Sequence, residues 1–326
     1  MNNSELPRPV ASPRGTTQSG DYNGLGCQPG AGTVIADQRE AGRVSTRADP
    51  FLVLGPAVIS FSGGRTSAYM LRRILDAYGG ALPDDVIVAF DNTGREMPAT
   101  LDFVHECGVR WNVPIVWLEY DRDENGPTFR VVSHNSASRE GEPLDKLFAA
   151  KPMLPNPVTR FCTAEAKIRT TKRYLMSLGW TRWTNVVGLR ADEPGRVERA
   201  LRPQRDRWRN VCPLATASIE EYHVLDFWRR QPFDLRLRGP WEGNCDGCFL
   251  KSRSAISRML NDYPSRMSWW ARWEGDLIHG AGRGAYFRAD RPGYAEMADT
   301  VARQGSLPFD VETDQELPCE SLGCGI

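Results

Sequence analysis

The sequence predicts an α/β fold built on a doubly wound parallel sheet, with a small cysteine-containing helical region at its C-terminal end. Two observations predict it. From Ala57 onward, apolar runs with strand preference alternate with segments of helical pattern, and strands joined through single helices pair in parallel with right-handed crossovers. After Pro232 that alternation stops, and a cysteine pair and tryptophan-rich helical stretches take over.

"AVISFS" (57–62) reads as the first strand, and "TSAYMLRRILDAYG" (66–79) as a helix ending at Gly79-Gly80. "DVIVAFDNTG" (85–94) is a second strand running into a turn. "MPATLDFVHECGVRW" (97–111) is a helix with Pro98 in its first turn, where a missing N–H costs nothing. "PIVWLEYD" (114–121) is the third strand, and the polar stretch 122–157 reads as a long loop beside the site. "TAEAKIRTTKRYLMSLG" (163–179) is helical, and "TNVVGLRADEP" (184–194) is a strand with its following loop. "SIEEYHVLDFWRRQ" (218–231) is a helix for which Ser218 and Glu221 form a capping box.

Residues 1–52 hold few large apolar side chains and read as a disordered tail, with Cys27 incidental. Two further regions follow: an α/β domain over 53–235 and a cysteine-containing region over 236–326. The 326 residues are 40% hydrophobic and 25% charged, as in soluble globular chains. No apolar run approaches the roughly 20 residues of a membrane span. The first residues lack the apolar core of a secretory signal, so a cytoplasmic location and no membrane partner are expected. Zero formal net charge excludes a chain-wide basic field. Eight cysteines without an export signal point toward a metal or cluster rather than a disulfide framework.

The chemistry starts at "VISFSGGRTSAYM" (58–70). Ligands of parallel sheets sit beyond the carboxyl ends of strands, and residues 60–67 form such an end. Gly63 and Gly64 permit positive φ and close backbone approach, so successive amides and a helix N-terminus can face an anion. Ser62, Thr66 and Ser67 add hydroxyl donors and Arg65 a fixed charge. The spacing fits neither GxxxxGK[ST] nor GxGxxG. A plain structural turn is the alternative. Arg190 and Asp192 follow a predicted strand, and the same strand-end rule marks them.

"SFSGGRTSAYML" resembles the SGGxxS loop of PP-loop ATP pyrophosphatases. "FDNTGREMPATLDFV", "RFCTAEAKI" and "VVGLRADEPGR" resemble, in order, further motifs of the phosphoadenosine-phosphosulfate (PAPS) reductase family. The four matches cover roughly residues 57–215. The resemblance implies a Rossmann-like sheet of the adenine nucleotide alpha-hydrolase type, with ATP across its switch point. It implies phosphates at Ser62, Gly63, Gly64, Arg65, Thr66 and Ser67, and adenosine at Asp91, Asn92, Thr93 and Gly94. Arg160, Lys167, Arg190 and Asp192 would approach the anionic or reacting part of the substrate, with Arg65, Lys167 and Arg190 catalytic. Where many such enzymes carry Lys, this chain has Arg65, which changes reach and donor geometry.

Family reductases acting on PAPS generally lack a full SGG loop and carry a C-terminal ECGLH-type motif. This chain keeps the loop, and "PCESLGCGI" is only loosely similar to that motif. That favours cleavage of ATP to AMP and pyrophosphate with Mg²⁺, activating an acceptor for sulfur transfer. Sulfite release from PAPS and a catalytically silent nucleotide-binding protein are the alternatives. A nucleic-acid acceptor and a sulfur-donor or reductant protein are the implied partners.

Cys245 and Cys248 form CxxC in "GNCDGCF", a pattern open to zinc, thiol exchange or neither. Relatives that transfer sulfur to nucleic acids often hold an iron–sulfur cluster. The resemblance therefore implies a [4Fe–4S] cluster on Cys162, Cys245, Cys248 and one of Cys212, Cys319 or Cys324. Cys107 and the tryptophans Trp269, Trp270 and Trp273 read as core. The arginine-rich stretch 195–210, with Trp208 interleaved, reads as a solvated loop or a nucleic-acid contact.

Overall fold

The protein is described by a computed structural model covering residues 49–203, 205–279 and 285–304. The strands are β1 (Ala57–Ser60), β2 (Val86–Asn92), β3 (Ile115–Asp123), β4 (Gly126–Val132), β5 (Trp183–Val186) and β6 (Trp208–Val211). They form one sheet in the order β4-β3-β2-β1-β5-β6, parallel throughout except for the β3–β4 hairpin. From β1 the chain builds outward through β2 and β3, then returns to the other side of β1 for β5 and β6. The point where the direction reverses, between β1 and β5, is where such sheets open a crevice.

Side chains alternate across the pleat. Ala57, Ile59, Phe61, Val86, Val88 and Phe90 are buried on one face. They pack against α1 (Arg65–Ala77), α2 (Pro98–Arg110) and, after the short α6 (Pro194–Leu201) and α7 (Pro213–Thr216), α8 (Glu221–Arg229). Val58, Ala89, Leu118 and Trp183 face the opposite way, onto Leu175 of a composite helix. That helix follows α3 (Glu142–Ala149) and runs through α4 (Phe161–Thr163), a π-helical turn (Ala164–Arg169) and α5 (Thr170–Ser177). Cys107 is fully buried, as its helical position predicts.

A second core joins α3 to α9 (Arg253–Asp262), α10 (Pro264–His279) and α11 (Tyr294–Gln304). Trp269 and Trp270 are buried in it and Trp273 packs against it. No helix among the described residues is long and apolar enough to cross a membrane.

Four expectations change. The 122–157 loop contains β4 and α3, and the 195–210 loop contains α6 and β6. Ser218 is not an N-cap: it has φ +55°, and Glu220 caps α8 in a box with His223. The core begins inside the expected 1–52 tail, because Phe51 is buried against the main core. Residues 1–48, with Cys27, lie outside the described residues.

Candidate functional site

The SGG turn sits at the carboxyl end of β1, directly before α1. Gly63 has φ +79°, and a Cβ there would stand 2.7 Å from the Thr100 methyl, so glycine is required. Gly64 differs from expectation: it is extended (φ −97°) and is the N-cap of α1, with no side-chain capping bond. Ser62 and Ser67 hydroxyls lie 3.0 Å apart, and Ser67 Oγ donates to the Gly64 carbonyl.

Arg65 is expected at the phosphates; its guanidinium instead forms a fork with Asp234, at 2.7 and 2.8 Å, and donates to the Leu235 carbonyl. Asp234 presents two oxygens that match the planar fork. Trp228 Nε1 donates to the Arg65 carbonyl, so α8 and its following loop hold the first turn of α1. Arg190, at the loop after β5, is the cation beside that turn. It is 7% exposed, with Nη1 3.4 Å from Thr66 Oγ1. Gly188 brings this loop against the Ser67 backbone. Asp192 accepts from Arg190 Nε at 2.9 Å and Nη2 at 3.1 Å. Burial opposes ionisation of Asp192, but the Arg190 bonds outweigh it and hold the carboxyl below its ordinary value. Asp192 therefore orients Arg190.

An open cleft runs from Ser62 along the β1/β5 face, lined also by Asp91, Lys167, Thr171 and Asn185. Asp91 accepts from Thr171 Oγ1 at 2.9 and 3.0 Å. Burial pushes its carboxyl up to about 7, with Thr171 and Lys167 opposing the rise. Folded Asp91 thus keeps its proton up to about pH 7, while the unfolded group releases it near 3.8. Its stabilising contribution is complete below the unfolded value and declines as pH rises to about 7. The Tm of Asp91→Asn is expected to fall less than wild type between those pH values; parallel Tm–pH curves would contradict the assignment.

The rest of the NTG turn is structural. Asn92 is buried, donating to Glu119 at 2.7 Å and the Ser138 carbonyl at 2.9 Å. Gly94 takes φ +77° where a Cβ would meet the Gly141 backbone. Thr93 donates to Glu96, and its hydroxyl lies 3.3 Å from Cys245 Sγ.

That contact leads into a second cavity, lined by Thr93, Cys162, Lys167, Cys245, Cys248 and Trp270 among others. Three of the expected thiols therefore share one cavity. Burial, then the neighbouring Glu96, pushes the Cys245 thiol up. Cys212 is not with them: it is buried among Val187, Leu189 and Ala200, which pushes its thiol up to about 11. It is a packing residue, because the chain turns at Pro213 on the β5–β6 side of the sheet. Cys319 and Cys324 lie outside the described residues. Among the described residues, no three Cys, His, Asp or Glu side chains stand at metal-ligating spacing.

Lys167 lines both cavities. Its ammonium is 3.9 Å from Glu96 and its charge bears on both Asp91 and Cys245. The π-helical turn supplies its position. Arg160 stands at the start of α4, two residues before Cys162, and lines neither cavity.

Sequence reading missed the residues that hold these loops together. Asp246, inside the CxxC, is fully buried and accepts from Arg95 Nη2 at 2.5 Å, Arg266 Nε at 2.8 Å and Trp270 Nε1 at 2.8 Å. Asp246 N donates to the Arg95 carbonyl, so the NTGRE turn and the cysteine loop form one unit. A charged pair flanking the glycine (Arg95) and cysteine (Asp246) motifs was the available signal.

Fold and site together define an α/β protein with a mostly parallel six-stranded sheet and polar loops gathered at its carboxyl ends. The chain belongs to the family of a protein of Escherichia phage lambda described as "Uncharacterized nin region protein ORF290". The two are 34% identical over 212 residues, spanning 63% of this chain and 69% of that protein. No protein-family model matches the chain. No solved structure matches it either.

Proposed function

We propose that the protein is a PP-loop enzyme of the PAPS reductase type that binds ATP at the β1/β5 switch point. It cleaves ATP to AMP and pyrophosphate to activate an acceptor for sulfur transfer. The observation that carries this reading is the N-terminus of α1, without a side-chain cap, lying beside the buried Arg190. Unsatisfied helix amides and a fixed guanidinium are what a polyphosphate needs. The adjoining cleft brings Ser62, Asp91, Lys167 and Thr171 to one opening.

In this reading the Ser62–Ser67 turn and Arg190 bind phosphate oxygens and stabilise charge as the inner anhydride breaks. Arg65, held by Asp234, fixes the turn. Asp91 and Thr171 face the nucleoside. Mg²⁺ would arrive largely on the phosphates, as it keeps several waters and few protein ligands. Cys162, Cys245 and Cys248 share one cavity and supply the donor type of an iron–sulfur centre; they would hold it once drawn to ligating spacing, while Cys212 packs in a separate cluster. Such a cluster would supply sulfur or electrons beside the activated acceptor. Lys167, in the wall between the cavities, keeps a cation next to both.

Protein purified without oxygen is expected to release pyrophosphate from ATP and to absorb near about 400 nm, as iron–sulfur clusters do. Cys245→Ser is expected to lose the absorbance while retaining nucleotide binding. Sulfite release from PAPS without pyrophosphate release from ATP would replace this reading with reduction. Nucleotide binding without any turnover would leave a binding protein.

A further inference from the structure

A second large cavity, of about 530 Å³, opens at the other end of the sheet. It lies at the amino ends of β1, β5 and β6, beside Pro56, Trp183 and Trp208. Four arginines line it, Arg182, Arg202, Arg207 and Arg209, against one carboxylate, Asp206. Arg202 is tied to Glu198 at 2.9 Å. Arg182, Arg207 and Arg209 are exposed, and their side chains make no hydrogen bond or ion pair among the described residues. In a chain of zero net charge, this is a concentrated local excess of cations.

The wall is aromatic. Trp208 stacks on the buried Trp183, with centroids 5.5 Å apart and planes at 20°. Trp208 itself stays partly exposed. The β5–β6 register sets Trp183 opposite Trp208 and Thr184 opposite Arg209, so the two indoles share one face of the sheet while Arg207 and Arg209 turn to the other, and both faces meet the cavity at the β6 border. Exposed guanidiniums with no ion pair suit a polyanion, and a partly exposed indole suits a flat ring. A ligand that alternates the two is a nucleic-acid strand with its bases unpaired. Duplex hides its base faces, and the cavity presents no helix or ribbon to enter a groove.

We propose that this cavity binds single-stranded nucleic acid. Arg182, Arg207 and Arg209 contact successive phosphates and a base lies against Trp208. The site adjoins the cleft that runs along the β1/β5 face, since Trp183 and Trp208 line both, but its arginines line only this cavity, and it stands whether or not that cleft takes ATP.

The test is fluorescence anisotropy of the full chain with labelled DNA and RNA strands of one sequence, without nucleotide, across a salt series. Three phosphate contacts give a slope of log K against log salt of about −2. Arg207→Gln/Arg209→Gln is expected to bind about ten-fold more weakly with a slope shallower by about 1.4. Arg182→Gln, outside the strands, is expected to shift the slope alone by about 0.7, so the idea stays testable if the double variant misfolds. Binding should quench indole fluorescence. Whichever sugar binds tighter identifies the source as DNA or RNA. Absence of binding at low salt, wild-type affinity in Arg182→Gln and the double variant, or equal displacement by polyglutamate of matched charge would overturn the proposal.

Discussion

Asp246→Ala is expected to lower the unfolding free energy by about 3–5 kcal/mol, the cost of breaking a buried ion pair from one side. The carboxylate is wholly buried and satisfies Arg95, Arg266, Trp270 Nε1 and the Gly247 amide together. Removing it strands the Arg95 guanidinium, itself 1% exposed, with only the Arg266 and Glu140 carbonyls as remaining acceptors among the described residues. Asp246→Asn keeps the shape and part of the hydrogen bonding, so an intermediate loss is expected. Denaturant midpoints at constant m-value measure both. Because the same carboxylate orders the cysteine loop, Cys245 and Cys248 should also alkylate faster in the variant. An Asp246→Ala protein within about 1 kcal/mol of wild type would mean that Arg95 finds water, contrary to its packing under Trp269.

On the proposed reading of the site, Arg190→Ala is expected to reduce pyrophosphate release from ATP by about 10²–10³-fold, the usual cost of losing one preorganised charge stabiliser. Arg190 Nη1 lies 3.4 Å from Thr66 Oγ1 in the first turn of α1, and Asp192 locks its orientation through two bonds. Arg190→Lys should recover only part of the rate, since an ammonium cannot reproduce the fork to Asp192. Asp192→Asn should lower kcat less than Arg190→Ala, because it loosens the guanidinium without removing it. Unchanged kcat in Arg190→Ala would place the reacting phosphate elsewhere. A parallel collapse of Tm would instead assign Arg190 to the fold.

The parts of the molecule legible in the sequence are those with local signals. β1 and β2 are largely apolar runs buried on both faces, β3 is apolar over its first four residues, and α2 announces itself with Pro98. Gly63 was legible because its turn demands a left-handed residue. β4 and β6 were not: both are half-exposed edge strands whose arginines and threonine mask any alternation. α3 hid in a polar stretch because its apolar face answers to α10, more than a hundred residues on. The pairs that anchor the site are also long-range. Arg65 meets Asp234 across 169 positions and Arg95 meets Asp246 across 151, and no local pattern encodes such partners. Cys212, one of the three candidates for a fourth ligand, follows β6 at the far flank of the sheet and packs with Val187, Leu189 and Ala200, a placement no local pattern encodes.

The sheet is also finished differently at its two borders. On one side, β4 turns back against β3 and closes the row with a hairpin. On the other, β6 is only four residues long and carries the exposed Arg209, with Arg207 just before it. A second molecule adding its own β6 there would have to bring like charges together over a very short ladder. That border is therefore guarded against templated self-association, and neutralising its guanidiniums is the circumstance in which the guard would weaken.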